Sequence, residues 1–408
     1  MVQGRKENSW KNIAYLLTSQ VISMMGTMLV QYAIIWHVTL STKSGFMLGV
    51  MNAVGLLPMI FVMPFAGVLA DRYSRKKLAM LADGCVAFVS LGMAVMLFVH
   101  AKLESHVSLL LVVTLIRSLG QGVQTPAVSA LLPQLAQEKQ LPRVNGMDQT
   151  IQAGMMLASP ALAAALLNFL PLAGIFLIDF VTAGIGISLM GAKVHVAKAK
   201  DLQEHKTSIK RSVFKELASG MDYLRGKKVL LSLVMAGFVG SFLSGAPANF
   251  GALQVTRKFH EGLWQLSAVE TGFAGGMLLG GFLVTIWGGF KNPIKTVTFG
   301  YALLIVPFML LGLVTDFWAY LLVMFVIGMV VPLSRSAMVA FIQEKNDNQH
   351  MGRVMSLVTT TISIASPAAT LILGPLADRV SLDLLMIGSG GCLLPLVLWL
   401  LWGKNFRH

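Results

Sequence analysis

The sequence predicts an all-α membrane protein, with twelve transmembrane helices in two pseudo-symmetric six-helix bundles. Three observations predict it. The 408 residues are 55% hydrophobic and only 12% charged, with a mean hydropathy of +0.72, too apolar to close around one water-soluble core. Apolar runs of about 20 residues, the length an α-helix needs to cross a bilayer, recur along nearly the whole chain. The runs fall as six, a polar gap, and six more.

The runs lie near 13–40, 46–69, 78–99, 108–134, 146–168 and 172–192, then 229–256, 264–288, 295–314, 317–342, 353–377 and 383–403. The first begins near Asn12 and ends near Leu40, longer than a signal-peptide core and without an Ala-x-Ala-like cleavage site, so it is kept as a span. Domain boundaries follow directly: a bundle over 1–192, a linker over 193–228 and a second bundle over 229–408. Within the linker, Phe214, Leu217, Met221 and Leu224 have helical apolar spacing amid ten lysines and arginines, which predicts an amphipathic surface helix.

The net charge of +14 sits in short segments between spans, as lipid anchoring and topology control require, and so gives no support to nucleic-acid binding. With the N-terminus inside, 25 of the 32 Lys and Arg residues fall on the cytoplasmic side, five fall outside, and Arg117 and Arg335 fall within spans. Both termini are therefore expected in the cytoplasm, with the chain crossing the membrane many times. Internal duplication is visible as well. Gln137-Glu138-Lys139 and Arg143-Val144 after the fourth span recur as Gln343-Glu344-Lys345 and Arg353-Val354 after the tenth, and the spans that follow each contain Ser-Pro-Ala, at 159–161 and 366–368. Two parallel repeats predict a substrate site between them near the bilayer midplane.

Between the second and third runs lies Gly67-Val68-Leu69-Ala70-Asp71-Arg72-Tyr73-Ser74-Arg75-Lys76-Lys77. Gly67 leaves room for a close helix approach, Asp71 suits a helix N-terminus, and the basic residues hold the loop at the cytoplasmic surface. Gly67, Asp71, Arg72 and Arg75 are thus a candidate conformational latch; the plainer alternative, positive-inside anchoring, covers the basic run alone.

This loop resembles the signature loop of the major facilitator superfamily, and Leu115-Ile116-Arg117-Ser118-Leu119-Gly120 resembles that family's fourth-helix arginine motif, with the usual Gln-Gly displaced. Gly154, Ser159-Pro160 and Ala163-Ala164 resemble the family's antiporter glycine-proline motif, with Ser and Ala standing for glycines. Ile116-Arg117-Ser118, Thr125-Pro126-Ala127, Gln343-Glu344-Lys345 and Gly352-Arg353-Val354 together look like the macrolide-efflux, drug:proton antiporter branch. The resemblance implies the major facilitator fold, alternating access and proton-driven export of amphipathic drugs such as macrolides, with Arg117 in proton coupling.

On the residues' own evidence, Arg117 costs about 3 kcal/mol to insert within an apolar helix and so requires a partner or an aqueous cavity. Asp179 in the sixth run and Glu270 in the eighth, each about 10 Å deep at 1.5 Å per residue, are the candidate counter-ion and proton carrier. A buried structural pair or a vestibule-facing acid is the alternative for each. Asp83 and Asp148 are read as interfacial, pairing with Arg72, Arg75 or Arg143, and Arg335 is left open between snorkelling and function.

A cavity for amphipaths should be apolar and aromatic with few polar points, which nominates Gln31, Tyr32, Trp36, Asn52, Phe61, Phe238, Phe242, Asn249 and Phe250, each alternatively a packing or lipid-facing residue. The 25 methionines suit an adaptable lining or lipid-facing filler. Gly272, Gly275, Gly276, Gly280 and Gly281 predict a close, slidable helix seam.

No Walker phosphate loop, His-Glu-x-x-His or Gly-x-Ser-x-Gly occurs, the eight histidines are scattered, and Cys85 and Cys392 lie in apolar runs. An enzyme, a metal and a cofactor are accordingly not expected. The expected partners are a small amphipathic substrate, protons and the lipid bilayer, with the protein a monomer. Export of a native metabolite, siderophore or lysolipid is the competing function, and a membrane-embedded enzyme the remote one.

Overall fold

Inside a bilayer a backbone N–H or C=O finds no water, so an apolar run satisfies its polar groups within its own helix. The computed structural model describes residues 2–100, 106–136, 140–196, 222, 224–259, 262–345 and 351–403. Among these residues there are helices and no strand.

The first six helices are α1 (Val2–Thr42), α2 (Gly45–Arg72), α3 (Arg75–Val99), α4 (Val107–Leu135), α5 (Leu141–Phe169) and α6 (Leu172–Lys193). After the linker come a broken α7, then α8 (Leu263–Trp287), α9 (Pro293–Leu313), α10 (Phe317–Lys345), α11 (Met351–Ala377) and α12 (Leu382–Trp402). Eleven of these are long and apolar enough to span a membrane; α7 is the twelfth. The fold is the twelve-helix fold read from the sequence.

The run at 229–256 is one span in hydropathy and several pieces in structure: Lys228–Leu243, Gly245–Asn249, Gly251–Gln254 and a π-helical turn at Val255–Phe259. Pro247 has no N–H to donate, and Gly245 and Gly251 favour helix weakly, so the ladder is interrupted there. Bonds such as Phe250 N to Ala246 O (2.9 Å) and Gln254 N to Phe250 O (2.8 Å) carry the helical path through the breaks. Elsewhere the ends are capped as their residues dictate. Asn292 accepts from Ile294 N at 2.9 Å ahead of Pro293 at the start of α9, and Gly288, with φ of 72°, closes α8 in the left-handed region.

Contacts divide the chain into unit 1, residues 1–41 and 54–203, and unit 2, residues 42–53 and 204–408. In unit 1, α3 packs on α4 and α6; in unit 2, α9 packs on α10 and α12, the same pairs six helices later. One end of unit 1 is closed by Ile13, Leu16 and Leu17 of α1 with Ala79, Leu131, Leu132, Val144 and Met190. The large side chains left outside, Phe88, Leu81, Ile286 and Leu322 among them, are apolar, as a lipid-facing surface requires.

The glycine seam of unit 2 is reciprocal. A Cβ on Gly280 would lie 2.7 Å from the Met329 carbonyl carbon and one on Gly276 3.0 Å from Met329 N, while a Cβ on Gly328 of α10 would lie 3.1 Å from Met277 N of α8. Gly272 meets the Leu321 side chain, and Gly281 meets nothing within 4 Å. The surface helix expected around Phe214, Leu217 and Met221 lies outside the described residues; Leu224 is buried.

Candidate functional site

Four helices of unit 1 turn polar side chains into its apolar interior. On α3, Asp83 and Ser90 are seven residues apart, two turns along one face; on α1, Ser23 and Thr27 are four apart. Gly26 lies between them in sequence, and a Cβ there would come within 2.8 Å of the Asp179 Cα, so α1 presses directly on α6. Ser118 fixes α4 against α2: its hydroxyl donates to Gly55 O at 2.8 Å and accepts from Met59 N at 3.1 Å, bridging an i, i+4 pair of α2.

Next to Ser118, Arg117 points inward and pairs with Asp179. Arg117 also donates to Ser90 Oγ, Ser90 donates to Asp179 Oδ2 at 2.6 Å, and Thr27 contributes a hydroxyl to Asp179 Oδ1 and a carbonyl to Arg117 Nη2, both at 3.4 Å. Arg117 is 4% and Asp179 1% exposed, so lone pairs and N–H groups have to be met inside the protein. Ser90, fully buried, does this for both partners at once, accepting from one and donating to the other.

Asp83 lies beside this pair. It is buried, accepts from Ser23 at 2.6 Å, and interacts electrostatically with both Asp179 and Arg117. This corrects the interfacial assignment: Asp83 is buried and faces inward, where among the described residues the Ser23 hydroxyl is its hydrogen-bond partner. The sequence offered one signal for it, a carboxylate eight residues into an apolar helix. Ser23 and Ser90, which complete the site, carry no signal that sets them apart from the other serines of the sequence. Asp148 is exposed and takes a bond from Gln152 at 2.8 Å.

The other expected site residues are distributed. Glu270 lies on α8 of unit 2, half-buried and near Tyr320. Arg335 of α10 is exposed, next to a buried Ser334 hydroxyl with no hydrogen-bond partner among the described residues. In the loop after α2, Arg75 donates to Ala70 O at 3.3 Å and Ala130 O at 2.8 Å, tying the start of α3 to the last turn of α2 and to α4. The side chains of Asp71 and Arg72 lie outside the described residues. A Cβ at Gly67 would meet nothing within 4 Å among the described residues.

Of the cavity candidates, Trp36 and Phe250 are 1% and 0% exposed and pack in the interior. Tyr32 is half-buried with its ring 5.4 Å from that of Trp36. Gln31 is exposed, and Phe61 more so, at 66%. Asn52 is half-buried; Phe238 and Phe242 stack at 6.4 Å; and Asn249 donates to Ser366 Oγ at 2.8 Å and to Gly245 O at 2.9 Å, joining α7 to α11.

Residues 16–370 match the family model described as Major Facilitator Superfamily. The chain is 29% identical to macrolide efflux protein A of Streptococcus pyogenes over 389 residues, 94% of each chain. It is 30% identical to macrolide efflux protein A of Enterococcus faecalis over 320 residues, 78% of this chain and 97% of that one. In structure it matches a mutant form of the nucleoside transporter NupG, with a TM-score of 0.74 over 97% of this chain and 100% of that one at 11% identity, a likeness of fold alone. A twelve-helix bundle with a buried fourth-helix arginine, matched along most of its length by that family's model, belongs to the major facilitator superfamily of membrane transporters and resembles its macrolide-efflux branch.

Proposed function

We propose that the protein is a secondary active exporter of amphipathic drugs such as macrolides, driven by proton antiport with alternating access. One observation carries the proton part: the interior of unit 1 holds two buried carboxylates, Asp83 and Asp179, and one guanidinium, Arg117. A buried charge without an opposite charge is costly, so one carboxylate of the three-membered set is neutral when it holds a proton and unbalanced when it does not. A cluster of that kind binds and releases one proton as its surroundings change. Arg117 pairs with Asp179 and acts on Asp83 through space, and Ser90 and Ser23 are the hydroxyls that can rotate with either charge state. Glu270 on α8 is a second acid for the same cycle, acting from the other bundle.

The cargo rests on likeness to relatives named for macrolide efflux and on the supply of aromatic and amide side chains at Tyr32, Asn52, Phe238, Phe242 and Asn249. Cytoplasmic termini belong to the same proposal, on the distribution of lysine and arginine; an inner-membrane location and a monomeric state come with the likeness to the family.

The test is uptake of radiolabelled erythromycin into energised inverted vesicles, with an uncoupler added midway. Wild type is expected to accumulate drug and lose it on uncoupling, and Arg117→Ala, Asp179→Asn and Glu270→Gln are expected to abolish or sharply reduce accumulation. Accumulation that ignores both the uncoupler and all three substitutions would sink proton antiport and favour a facilitated or lipid-like cargo.

A further inference from the structure

A six-residue pattern occurs twice. Gly67-Val68-Leu69-Ala70-Asp71-Arg72 ends α2, and Gly374-Pro375-Leu376-Ala377-Asp378-Arg379 ends α11. Nine spans separate the two ends, an odd number, so the copies lie at opposite faces of the membrane. The second copy was not among the features that pointed to the family, and its carboxylate has a visible occupation.

Asp378 accepts three hydrogen bonds from the start of α2: Gly45 N at 2.7 Å, Phe46 N at 3.0 Å and the Ser44 hydroxyl at 2.7 Å. These N–H groups belong to the first turn of α2, where no preceding carbonyl is available and the helix dipole favours an anion. Arg257, from the π-helical end of α7, ties the arrangement together. Its Nη2 reaches Asp378 Oδ1 at 2.6 Å, its Nη1 the last carbonyl of α11, Ala377 O, at 2.6 Å, and its Nε the Lys43 carbonyl at 2.9 Å. Lys43 has a φ of 48°, a left-handed conformation uncommon outside glycine, and its carbonyl takes both Nε and Nη2 of Arg257.

Backbone lies on backbone beneath these contacts. A Cβ on Gly45 would be 2.8 Å from Gly374 O and one on Gly374 2.6 Å from Gly45 O; one turn further, a Cβ on Gly49 would be 2.9 Å from the Thr370 carbonyl carbon. All of these residues fall in unit 2, because the turn before α2 and the first turns of that helix, residues 42–53, group with it, whereas α2 from residue 54 onward groups with unit 1. The clasp therefore grips one end of a helix whose remainder belongs elsewhere.

We propose that Asp378 and Arg257 are positioning residues for transport: they form a releasable clasp on the start of α2, the counterpart at one membrane face of the Asp71 loop at the other. A purely structural staple stays closed throughout. A gate closes in one state of the cycle and opens in another, and the family's alternating access requires a gate at each face. The clasp has the chemistry for this: several good hydrogen bonds between side chains that are partly open to solvent. Burial pushes the Asp378 carboxyl up, but the Phe46 and Gly45 N–H groups, the Ser44 hydroxyl and Arg257 outweigh it and hold the group at about 2, below its ordinary 3.8. The clasp is thus anionic throughout the physiological range and is released by movement, not by protonation.

The experiment places spin labels at Phe46→Cys and Arg379→Cys, both exposed, in full-length protein carrying Cys85→Ser and Cys392→Ser, and reads the distance distribution in detergent and in liposomes with and without erythromycin. The proposal expects a short and a long population in wild type, whose ratio responds to drug. It expects Asp378→Asn and Arg257→Gln to move the ratio toward the long one by about fivefold, the change that loss of an ordinary helix-capping interaction implies, and Asp378→Glu to restore part of it. Retained erythromycin binding in the variants shows that they are folded. A single short distance in wild type and in folded variants alike, insensitive to drug, overturns the proposal and leaves a staple. The test does not depend on proton coupling, since a gate opens in a uniporter too.

Discussion

Arg117–Asp179 lies inside unit 1 with side chains 5% and 1% exposed, whereas Arg257–Asp378 lies at the end of α11 with side chains 29% and 30% exposed. The residue types are the same and the physics differs. In the first pair each charge is stabilised almost wholly by the other and by Ser90, so neither partner can be removed alone. In the second, the aspartate is held by backbone N–H groups of α2 as well as by the arginine, and water supports whatever is exposed. The buried pair suits a device that senses a charge; the exposed one suits a device that opens.

The largest effect expected from this contrast is at the buried pair. Arg117→Ala leaves Asp179 buried beside Asp83 with no cation, and should lower stability by about 3–5 kcal/mol, measured as loss of folded protein on heating in detergent, together with accumulation. A double change, Arg117→Leu with Asp179→Leu, should recover most of the stability and none of the gradient-driven transport; recovery of both would deny the pair its role in coupling.

A smaller effect is expected at Ser90, which serves both charges. Ser90→Ala should cost about 1–3 kcal/mol, the penalty for leaving buried groups short of a hydrogen bond, and should shift the pH at which transport is half-maximal, whereas Ser118→Ala, which touches α2 and not the charges, should lower stability without that pH shift.

The smallest effect is at the exposed pair. Asp378→Asn should change stability by less than about 1 kcal/mol, as exposed pairs do, while altering the distance distribution at the clasp. Its pH dependence follows from the depressed carboxyl: the contribution of Asp378 is fully present above its ordinary 3.8 and is lost only as pH falls through about 2. Between about pH 8 and pH 5.5 Asp378 keeps its charge, so once Asp83→Asn and Asp179→Asn together remove the buried acids the clasp distances should stay constant with pH. Clasp distances that still follow pH in that double variant would erase the distinction between the two pairs.

How far the sequence reached depends on what each feature needs. Spans are long-range averages of hydropathy, and all twelve fell where helices lie; only the break in α7 escaped, because Pro247, Gly245 and Gly251 barely change the mean. Arg117 and Asp179 were legible because a charge in an apolar run demands an answer, and they answer each other. Glu270 was paired with them by depth alone, and depth says nothing about which bundle interior a residue joins. Asp83 was misread because its distance from the helix end fits an interface equally well; its direction is set by the tilt and rotation of α3, which packing against α4 and α6 decides. Trp36 and Phe250, buried here, show why aromatic residues are ambiguous in a sequence: they line cavities and fill cores with the same side chains. The clasp needed the fold itself, since Ser44, Arg257 and Asp378 are brought together from three distant segments of the chain.

The central claim, that two buried acids sharing one guanidinium bind a proton which the drug displaces, is tested most directly by proton release. Purified protein in weakly buffered detergent solution, with a pH-sensitive dye, is mixed with erythromycin, and wild type is compared with Asp83→Asn and Asp179→Asn. The account predicts a burst of protons from wild type, saturating with drug, that is lost in at least one of the two variants while drug still binds. Equal release from all three proteins, or binding in wild type with no release, would contradict it.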